Sequence, residues 1–357
     1  MPNLDEMLKR VMAEKGSDLH LIAGDPPRMR RFGELTPIDE TRLSAQTTRE
    51  MLYGIMPARV RASFEQHDNA DFALTREGLA RFRVNVFQHL RGMGAVFRVV
   101  PSATSSLEQM GLPSLLASLC MQKQGLILVT GKTGSGKSST LAAMIDAVNR
   151  AYRGHIVTIE DPIEFVHQRN MCLISQREVG SHTGSFAGAL RSALRQDPDV
   201  ILVGELRDLE TMALAVTAAE TGILVMGTLH TNSAAGTVDR MINTFPVQKQ
   251  PHIRTMLSTS LRCVISQQLV RRADGRGRVA VIEILINTPA VANVIREGRI
   301  DQIENIIQSS AAVGMQGMDN ALHKLVTARI ITGSDAYEAA REKSDFERYL
   351  PAGARPQ

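Results

Sequence analysis

The chain has 357 residues, which is too long for one typical core, so we expect two or three domains. Its apolar fraction of 43% is ordinary for a soluble globular protein, and a formal net charge of +4 is too small by itself to indicate nucleic-acid binding. No apolar run approaches the roughly 20 residues of a membrane-spanning helix, and the N-terminus lacks a secretory signal pattern, so the expected location is cytoplasmic.

Three isolated cysteines, Cys120, Cys172 and Cys263, form no C-x-x-C pair. This spacing argues against a disulfide framework or a thiolate zinc site, and we expect buried thiols that pack as small apolar residues. Trp is absent and aromatic residues make up only 4% of the chain, which leaves few platforms for stacking bases. A nucleic-acid partner is therefore not expected.

The N-terminal region predicts a small mixed domain. Apolar periodicity predicts a helix over 4–15 and a helix over 49–64 interrupted near Pro57. Alternating residues predict strands over 17–22, 29–35, 71–74, 79–87 and 94–99.

Arginines gather on one face of the predicted strand over 79–87. Period-2 alternation places Arg81 and Arg83 opposite Phe82 and Val84, and antiparallel pairing would bring Arg98 beside them. A solvated sheet face is the alternative interpretation.

The stretch 101–106 consists of small and mostly polar residues, and we predict that it is a linker between two domains. We predict an N-terminal domain over 1–100, the linker over 101–106, a second domain over 107–345 and a tail over 346–357.

The second domain alternates apolar strands with helices. Strands are predicted over 125–130, 156–159, 200–203, 223–228 and 278–286. Helices are predicted over 138–150, 186–195, 208–221, 234–243, 248–270, 290–297, 301–309, 317–328 and 333–343. The first four strands are apolar without alternation, which is typical of a mainly parallel sheet covered by helices on both faces, and thus of the α/β class.

A phosphate-binding loop is the strongest motif. The pattern G-x-x-x-x-G-K-[ST] runs from Gly131 to Ser138, between a predicted strand and a predicted helix. Glycines allow backbone N–H groups to surround an anion at the positive end of the helix, Lys137 is expected to reach the β- and γ-phosphates, and Ser138 is expected to hold Mg²⁺. ATP and Mg²⁺ are the predicted cofactors. The predicted nucleotide-binding residues are Gly131, Thr133, Gly134, Ser135, Gly136, Lys137, Ser138 and Ser139.

Polar residues follow three further strands, where ligands of parallel sheets bind. Three carboxylates, of Glu160, Asp161 and Glu164, follow the strand over 156–159, and one of them is a candidate for positioning the attacking water. Glu205 follows the strand over 200–203 and is the predicted metal-side carboxylate, acting through water. His230 follows the strand over 223–228 and is a candidate sensor of the γ-phosphate. An acidic loop and a structural histidine are the alternatives.

These motifs, in this order, resemble the secretion ATPase superfamily, and most closely the PilT-like retraction motors of type IV pili, the twitching motility proteins. Matching stretches besides the phosphate loop are 158–164, 176–180, 190–199, 203–208 and 227–231. The resemblance covers nearly the whole chain, from about Ser17 to Gln316.

The resemblance implies an ATPase with a PAS-like α+β N-terminal domain, a RecA-like domain and a helical C-terminal region. It also implies a homo-hexamer with ATP between neighbours, located peripherally at the inner membrane with the pilus platform protein, and with paralogous pilus ATPases as further partners. It assigns water activation to Glu164, a metal-side role to Glu205 and a histidine-box role to His230. Arg83 and Arg98 would approach the phosphates of the neighbouring subunit, and Arg81 is a further candidate for this role.

One position departs from the family pattern. Retraction motors typically carry Ala-Ile-Arg-Asn-Leu-Ile-Arg-Glu near the C-terminus, and Ala292 stands here in place of the first arginine. An accessory, PilU-like paralogue is therefore an alternative role. Assembly or type II secretion ATPases usually carry a four-cysteine zinc element, which this chain lacks. A RecA-like nucleic-acid motor and a small-molecule kinase are alternatives from other classes.

Overall fold

The computed structural model describes residues 3–101 and 105–351, which divide into two compact units. The first unit contains residues 3–101 together with Glu164–Val166, and the second contains residues 105–163 and 167–351. The division falls within the predicted linker 101–106. Positions 102–104 of that linker and 352–357 of the predicted tail lie outside the described residues.

The first unit is an antiparallel sheet packed against three helices. Its six strands lie in the order β3-β2-β1-β6-β5-β4. The helices are α1 (Leu4–Ala13), α2 (Ala45–Ile55) and α3 (Ala58–His67). The strands are β1 (Asp18–Ile22), β2 (Arg28–Arg31), β3 (Glu34–Pro37), β4 (Asn69–Arg76), β5 (Ala80–His89) and β6 (Gly92–Val100).

Strand β5 has one buried face and one polar face. Phe82, Val84 and Val86 are fully buried in the core of this unit. Arg83 is exposed on the other face, and it lies directly opposite Arg98 of β6 in the antiparallel register. The predicted placement of Arg98 beside the basic face is therefore confirmed.

The second unit is built on a seven-stranded sheet in the order β13-β12-β7-β11-β10-β8-β9. Its strands are parallel except for the antiparallel pair β12 and β13. The strands are β7 (Gly125–Thr130), β8 (His155–Glu160), β9 (Leu173–Glu178), β10 (Val200–Val203), β11 (Leu224–Leu229), β12 (Leu261–Arg271) and β13 (Arg278–Ile286).

Helices cover both faces of this sheet. The α-helices are α4 (Leu115–Cys120), α5 (Lys137–Ala151), α6 (Phe186–Ala193), α7 (Leu209–Glu220), α8 (Ala234–Asn243), α9 (Gln250–Ser260), α10 (Pro289–Glu297), α11 (Ile303–Ser309), α12 (Met318–Thr327) and α13 (Gly333–Ala339). The 3₁₀-helices are Val247–Lys249, Ile300–Gln302, Ala311–Val313 and Lys343–Tyr349. Leu126 and Leu128 of β7 pack with α6 to α11, whereas Ile127 and Val129 pack with α4 and α5. Burial on both faces explains why β7 is apolar throughout.

Two strands of the second unit, β12 and β9, were not predicted. The helix predicted over 248–270 ends at Ser260, and the chain continues as strand β12. Strand β9 was not predicted, because its polar residues from Ser175 to Glu178 do not form an apolar run.

The C-terminal part forms a small core of its own. Leu322 of α12, Ala336 of α13 and Phe346 pack with Val270 of β12 and Val281 of β13. Phe346 is fully buried, although the predicted tail begins at this position. A large apolar side chain stabilises the fold only if it is covered, so the ordered chain continues past 346.

The three cysteines agree with the expectation of buried thiols. Cys120, Cys172 and Cys263 are free and buried. Among residues 3–101 and 105–351, no helix combines the length and apolar character that a bilayer crossing needs.

Candidate functional site

The phosphate loop lies between the end of β7 at Thr130 and the start of α5 at Lys137. Gly131, Gly134 and Gly136 have φ angles of 143°, 79° and 91°, respectively, a range that L side chains rarely adopt. These glycines let the chain curl so that the loop ends on the N-terminus of α5. A helix N-terminus with free N–H groups favours an anion, which is the chemistry of a phosphate site.

Lys137 is held inside this loop. Its Nζ donates to the carbonyl oxygens of Gly131 at 2.8 Å and Lys132 at 3.1 Å. Burial lowers the pKa of Lys137 below its usual value, and the charge of Glu205 opposes this effect. The ammonium is thus partly withdrawn from water. In this partly buried position its attraction to a phosphate is less screened.

Strand β12 braces the loop from the neighbouring position in the sheet. Gln267 Nε2 donates to the carbonyl oxygen of Ser135 at 2.7 Å, and its Oε1 accepts from Thr140 Oγ1 at 2.7 Å. Gln267 is 2% exposed, so both contacts are buried. Sequence reasoning missed this residue because it placed positions 248–270 in a helix.

Glu205 and His230 meet at the ends of neighbouring strands. Because β10 and β11 are adjacent and parallel, the residues that follow them lie at the same edge of the sheet. Glu205 Oε1 lies 2.6 Å from Arg207 Nε and 3.2 Å from His230 Nε2. The structure therefore brings these two predicted residues together, and it adds Arg207 as a partner that the sequence analysis did not single out.

The surroundings of Glu205 favour its charged form. Burial raises the pKa of this carboxyl, but the hydrogen bond from Arg207, the charges of Arg207 and His230 and the hydrogen bond from His230 outweigh that effect, and the net pKa lies below its usual value. The side chain of Glu205 remains 18% exposed and that of His230 46% exposed. A carboxylate that stays ionised and partly open to solvent is suited to bind a hydrated cation.

The three carboxylates after β8 occupy different places. Glu160 is buried and accepts from Thr158 Oγ1 at 2.6 Å and from Gln176 Nε2 at 3.2 Å. Asp161 is exposed, and its charge contributes to raising the pKa of Arg207. Glu164 belongs to the first unit. Its role in activating water stays a prediction.

The predicted arginines lie on the sheet of the first unit. Arg98 Nε contacts Asp18 Oδ1 at 2.8 Å, and the Asp18 side chain is only 5% exposed, whereas that of Arg98 is 68% exposed. Arg83 of β5 lies directly opposite Arg98 of β6 in the antiparallel register. Asp18 offsets the charge of Arg98, and the exposed Arg83 beside this ion pair adds a positive charge, so this face is suited to an anionic partner.

Ser138 and Glu205 supply the oxygen ligands that Mg²⁺ prefers, so these residues fit the ion. Among residues 3–101 and 105–351, no group of three or more His, Cys, Asp or Glu side chains is arranged to hold a metal. A direct contact from Ser138 and a contact from Glu205 through water would agree with the way Mg²⁺ binds in nucleotide sites, where water and phosphate oxygens complete the coordination.

A cavity of about 480 Å³ adjoins the outer side of the phosphate loop. Residues that line it include Lys132 to Ser135 of the loop, the polar Asn232 and Gln268, and Arg341. Sequence reasoning did not identify Arg341, because it lies far along the chain from every motif.

The sequence is similar to proteins of known families along most of its length. The family described as Type II/IV secretion system protein matches residues 1–331. The type IV pilus retractation ATPase PilT of Pseudomonas aeruginosa is 48% identical over 96% of this chain and 100% of its own length. The type IV pilus ATPase PilU of the same organism is 43% identical over 98% of this chain and 92% of its own length.

A solved structure agrees with the fold. The crystal structure of the pilus retraction motor PilT with bound ADP matches with a TM-score of 0.90 at 43% identity, and it covers 98% of this chain and 100% of that chain. This likeness confirms the predicted α/β fold class, and together with the 48% identity to PilT it confirms the predicted resemblance. The chain belongs to the family of Type II/IV secretion system proteins.

Proposed function

We propose that this chain is a motor ATPase that hydrolyses ATP to ADP and phosphate in order to retract type IV pili. The observation that carries the proposal is the position of Glu205, held by Arg207 and His230 at the strand end beside the phosphate loop. The 48% identity to a retraction ATPase along nearly the whole chain supports the pilus as the load.

Each site residue has a role in this reaction. Lys137 and the loop N–H groups bind the phosphates. Ser138 directly, and Glu205 through water, would hold Mg²⁺, which would neutralise charge on the phosphates. Glu164 activates the attacking water. His230, in contact with Glu205, senses the γ-phosphate. We also propose that the first unit is the PAS-like domain and that the second is the RecA-like ATPase domain with its helical C-terminal region.

The working assembly that we propose is a homo-hexamer at the cytoplasmic side of the inner membrane, docked on the pilus platform protein. Arg83 and Arg98 of one subunit reach the nucleotide of its neighbour, where guanidinium groups stabilise the charge of the transferring phosphoryl group. The exposed Arg83 beside the Asp18–Arg98 ion pair supports this role, because a positive charge at this surface favours an anion.

Steady-state ATP turnover tests the catalytic assignment. Lys137→Ala and Glu205→Ala should each abolish turnover, and turnover near the wild-type rate in either variant would refute the assignment. Arg83→Ala should lower turnover while ADP binding to the subunit is largely retained. Turnover per subunit should also fall on dilution below the assembly concentration, whereas a constant value would contradict a shared site.

An accessory role is the second candidate, because Ala292 replaces an arginine typical of retraction motors. Expressing this chain in a strain that lacks its retraction motor distinguishes the two roles. Pili that shorten under the microscope support retraction by this chain alone. Shortening only when a paralogous motor is co-expressed, or only with Ala292→Arg, supports the accessory role.

A further inference from the structure

The loop between β11 and α8 carries His230 and is held firmly at its distal end. Thr231 Oγ1 and Thr237 Oγ1 lie 2.6 Å apart, and Thr237 Oγ1 donates to the carbonyl oxygen of Ser233 at 2.6 Å. Ser233 caps α8 by accepting the N–H of Gly236 at 3.0 Å. These local contacts define the shape of the loop, but they do not attach it to the rest of the unit.

Besides the contact of His230 with Glu205, an ion pair from the C-terminal part attaches the loop to the rest of the unit. Glu283 of β13 accepts the backbone N–H of Ala234 through Oε1 at 2.6 Å. Arg341 donates through Nη2 to the carbonyl oxygen of Asn232 at 2.8 Å. The two side chains contact each other, with Arg341 Nη1 2.5 Å from Glu283 Oε2. One ion pair thus binds both a carbonyl and an N–H group of the same short loop.

Burial and fixed supports make this attachment rigid. The side chain of Glu283, on the edge strand β13, is 3% exposed, and a carboxylate buried to this extent depends on its partners. Arg341 is fixed from behind, because its backbone N–H and that of Glu342 donate to the two carboxylate oxygens of Asp319 at 3.0 Å and 2.9 Å. Movement of the loop therefore requires breaking contacts to elements that are themselves anchored.

Arg341 also lies beyond residues 1–331, the part of the chain that the family matches. It shares the wall of the cavity beside the phosphate loop with Asn232, which raises the question of whether it binds the nucleotide directly. Its guanidinium is already engaged, because Nη1 contacts the carboxylates of Glu283 and Glu304 and Nη2 donates to the Asn232 carbonyl of the loop. The geometry favours positioning over direct binding.

We propose that Arg341, paired with Glu283, is a positioning residue that holds the His230 loop in register with Glu205, so that the C-terminal segment sets the rate of the hydrolysis step. This inference rests on the proposed function, because it takes His230 as part of the ATPase site. Loss of Arg341 releases the loop without removing any group that contacts the phosphates.

The test compares Arg341→Met with Arg348→Met, a matched control in which an exposed arginine of the same C-terminal segment is removed. We expect Arg341→Met to lower kcat about tenfold or more while KM and ADP affinity change less than threefold, and Arg341→Lys to recover part of kcat. Arg348→Met should match the wild type. A rise in KM or a loss of ADP affinity, with kcat unchanged, would overturn positioning in favour of direct binding.

A second variant identifies the route of the effect. In a His230→Ala background, Arg341→Met should cause little further loss of kcat, because the residue through which it acts is gone. Full additivity of the two losses overturns the inference, as does a kcat loss for Arg341→Met when His230→Ala alone leaves turnover unchanged.

Hydrogen exchange separates this inference from the proposed function. Amides of residues 230–234 should exchange faster in full-length Arg341→Met than in Arg348→Met, whether or not the chain hydrolyses ATP. Absence of ATP turnover in the wild type would refute the proposed function alone. Unchanged exchange in this loop would refute positioning alone.

Discussion

Gly131 is the glycine of the phosphate loop that leaves least room for a side chain. A Cβ at this position would lie 2.2 Å from the backbone oxygen of Gln267 and 2.6 Å from Ser135 Oγ, whereas ordinary contacts begin at 3.4 Å. The backbone oxygen belongs to strand β12 and cannot rotate away as a side chain does. Gly131→Ala therefore forces the loop and β12 apart by about 1 Å in a densely packed region.

The expected cost follows from two additive effects. Overpacking costs about 1–3 kcal/mol, and a side chain at the φ angle of Gly131 adds about 1–3 kcal/mol of backbone strain. The total of about 2–6 kcal/mol is divided between fold stability and nucleotide binding. If the total cost is about 6 kcal/mol and half of it weakens nucleotide binding, ADP affinity decreases about a hundredfold, since each 1.4 kcal/mol corresponds to about tenfold in affinity.

Gly134→Ala is the matched control. Its φ of 79° is also positive, but a Cβ there meets nothing within 4 Å. Only backbone strain of about 1–2 kcal/mol remains, so the combined loss in stability and ADP affinity should be clearly smaller. Calorimetric titration with ADP and thermal unfolding of both variants measure the two parts. Equal combined losses in the two variants, or wild-type behaviour of Gly131→Ala, would refute the steric reasoning.

Three further predictions concern buried contacts. Gln267→Met removes the donor to the Ser135 carbonyl, and we expect ADP affinity to fall about tenfold, because an unsatisfied buried polar group costs about 1–3 kcal/mol; unchanged affinity in titration would contradict this brace. Phe346→Ala should lower the free energy of unfolding by about 3–5 kcal/mol in a denaturant titration, and a loss below about 1 kcal/mol would show that the C-terminal core is not formed. Burial raises the pKa of Asp18, but hydrogen bonds from Ser17 and Arg98 hold it below its usual value, so its contribution to stability is present above about pH 4 and disappears as the pH falls through the folded-state pKa. The melting temperature of Asp18→Asn should therefore lie below that of the wild type at pH 7 and approach it as the pH falls below about 4, and a constant difference would exclude this linkage.

Much of the second unit was predictable because its strands are buried on both faces. The predicted strand 200–203 agrees with β10 residue for residue, and 125–130 agrees with β7 in the same way. Continuous apolar runs bounded by glycine and polar residues are an unambiguous signal when each run is followed by a helix pattern.

The error at positions 248–270 has a physical cause. Ile253 and Leu257 are four residues apart and buried on α9, which is a helical signal, and Leu261 continues the same spacing. The chain nevertheless changes to strand at Leu261, because β12 pairs with β7 along one edge and β13 along the other. Pairing between distant strands overrides local periodicity, and a single sequence does not display it.

The positions of the candidate-site residues were predictable to the same extent as the strands of the sheet. A strand covered on both faces excludes polar groups until it ends, so the phosphate loop, Glu205 and His230 had to lie after their strands, and parallel strands had to bring them to one edge. A different physical rule determines which side chains contact these residues. A carboxylate withdrawn from water requires compensation, and any cation within reach can provide it.

Glu283 illustrates why that compensation escaped prediction. It interrupts an apolar strand, and the sequence alone gives no reason for a carboxylate at that position. Its two oxygens are matched by an N–H group 49 residues earlier and by a guanidinium 58 residues later. A buried carboxylate in an otherwise apolar strand is thus itself a signal that distant donors converge there. The histidine loop depends on that convergence, so the C-terminal segment and the phosphate site form one physical system.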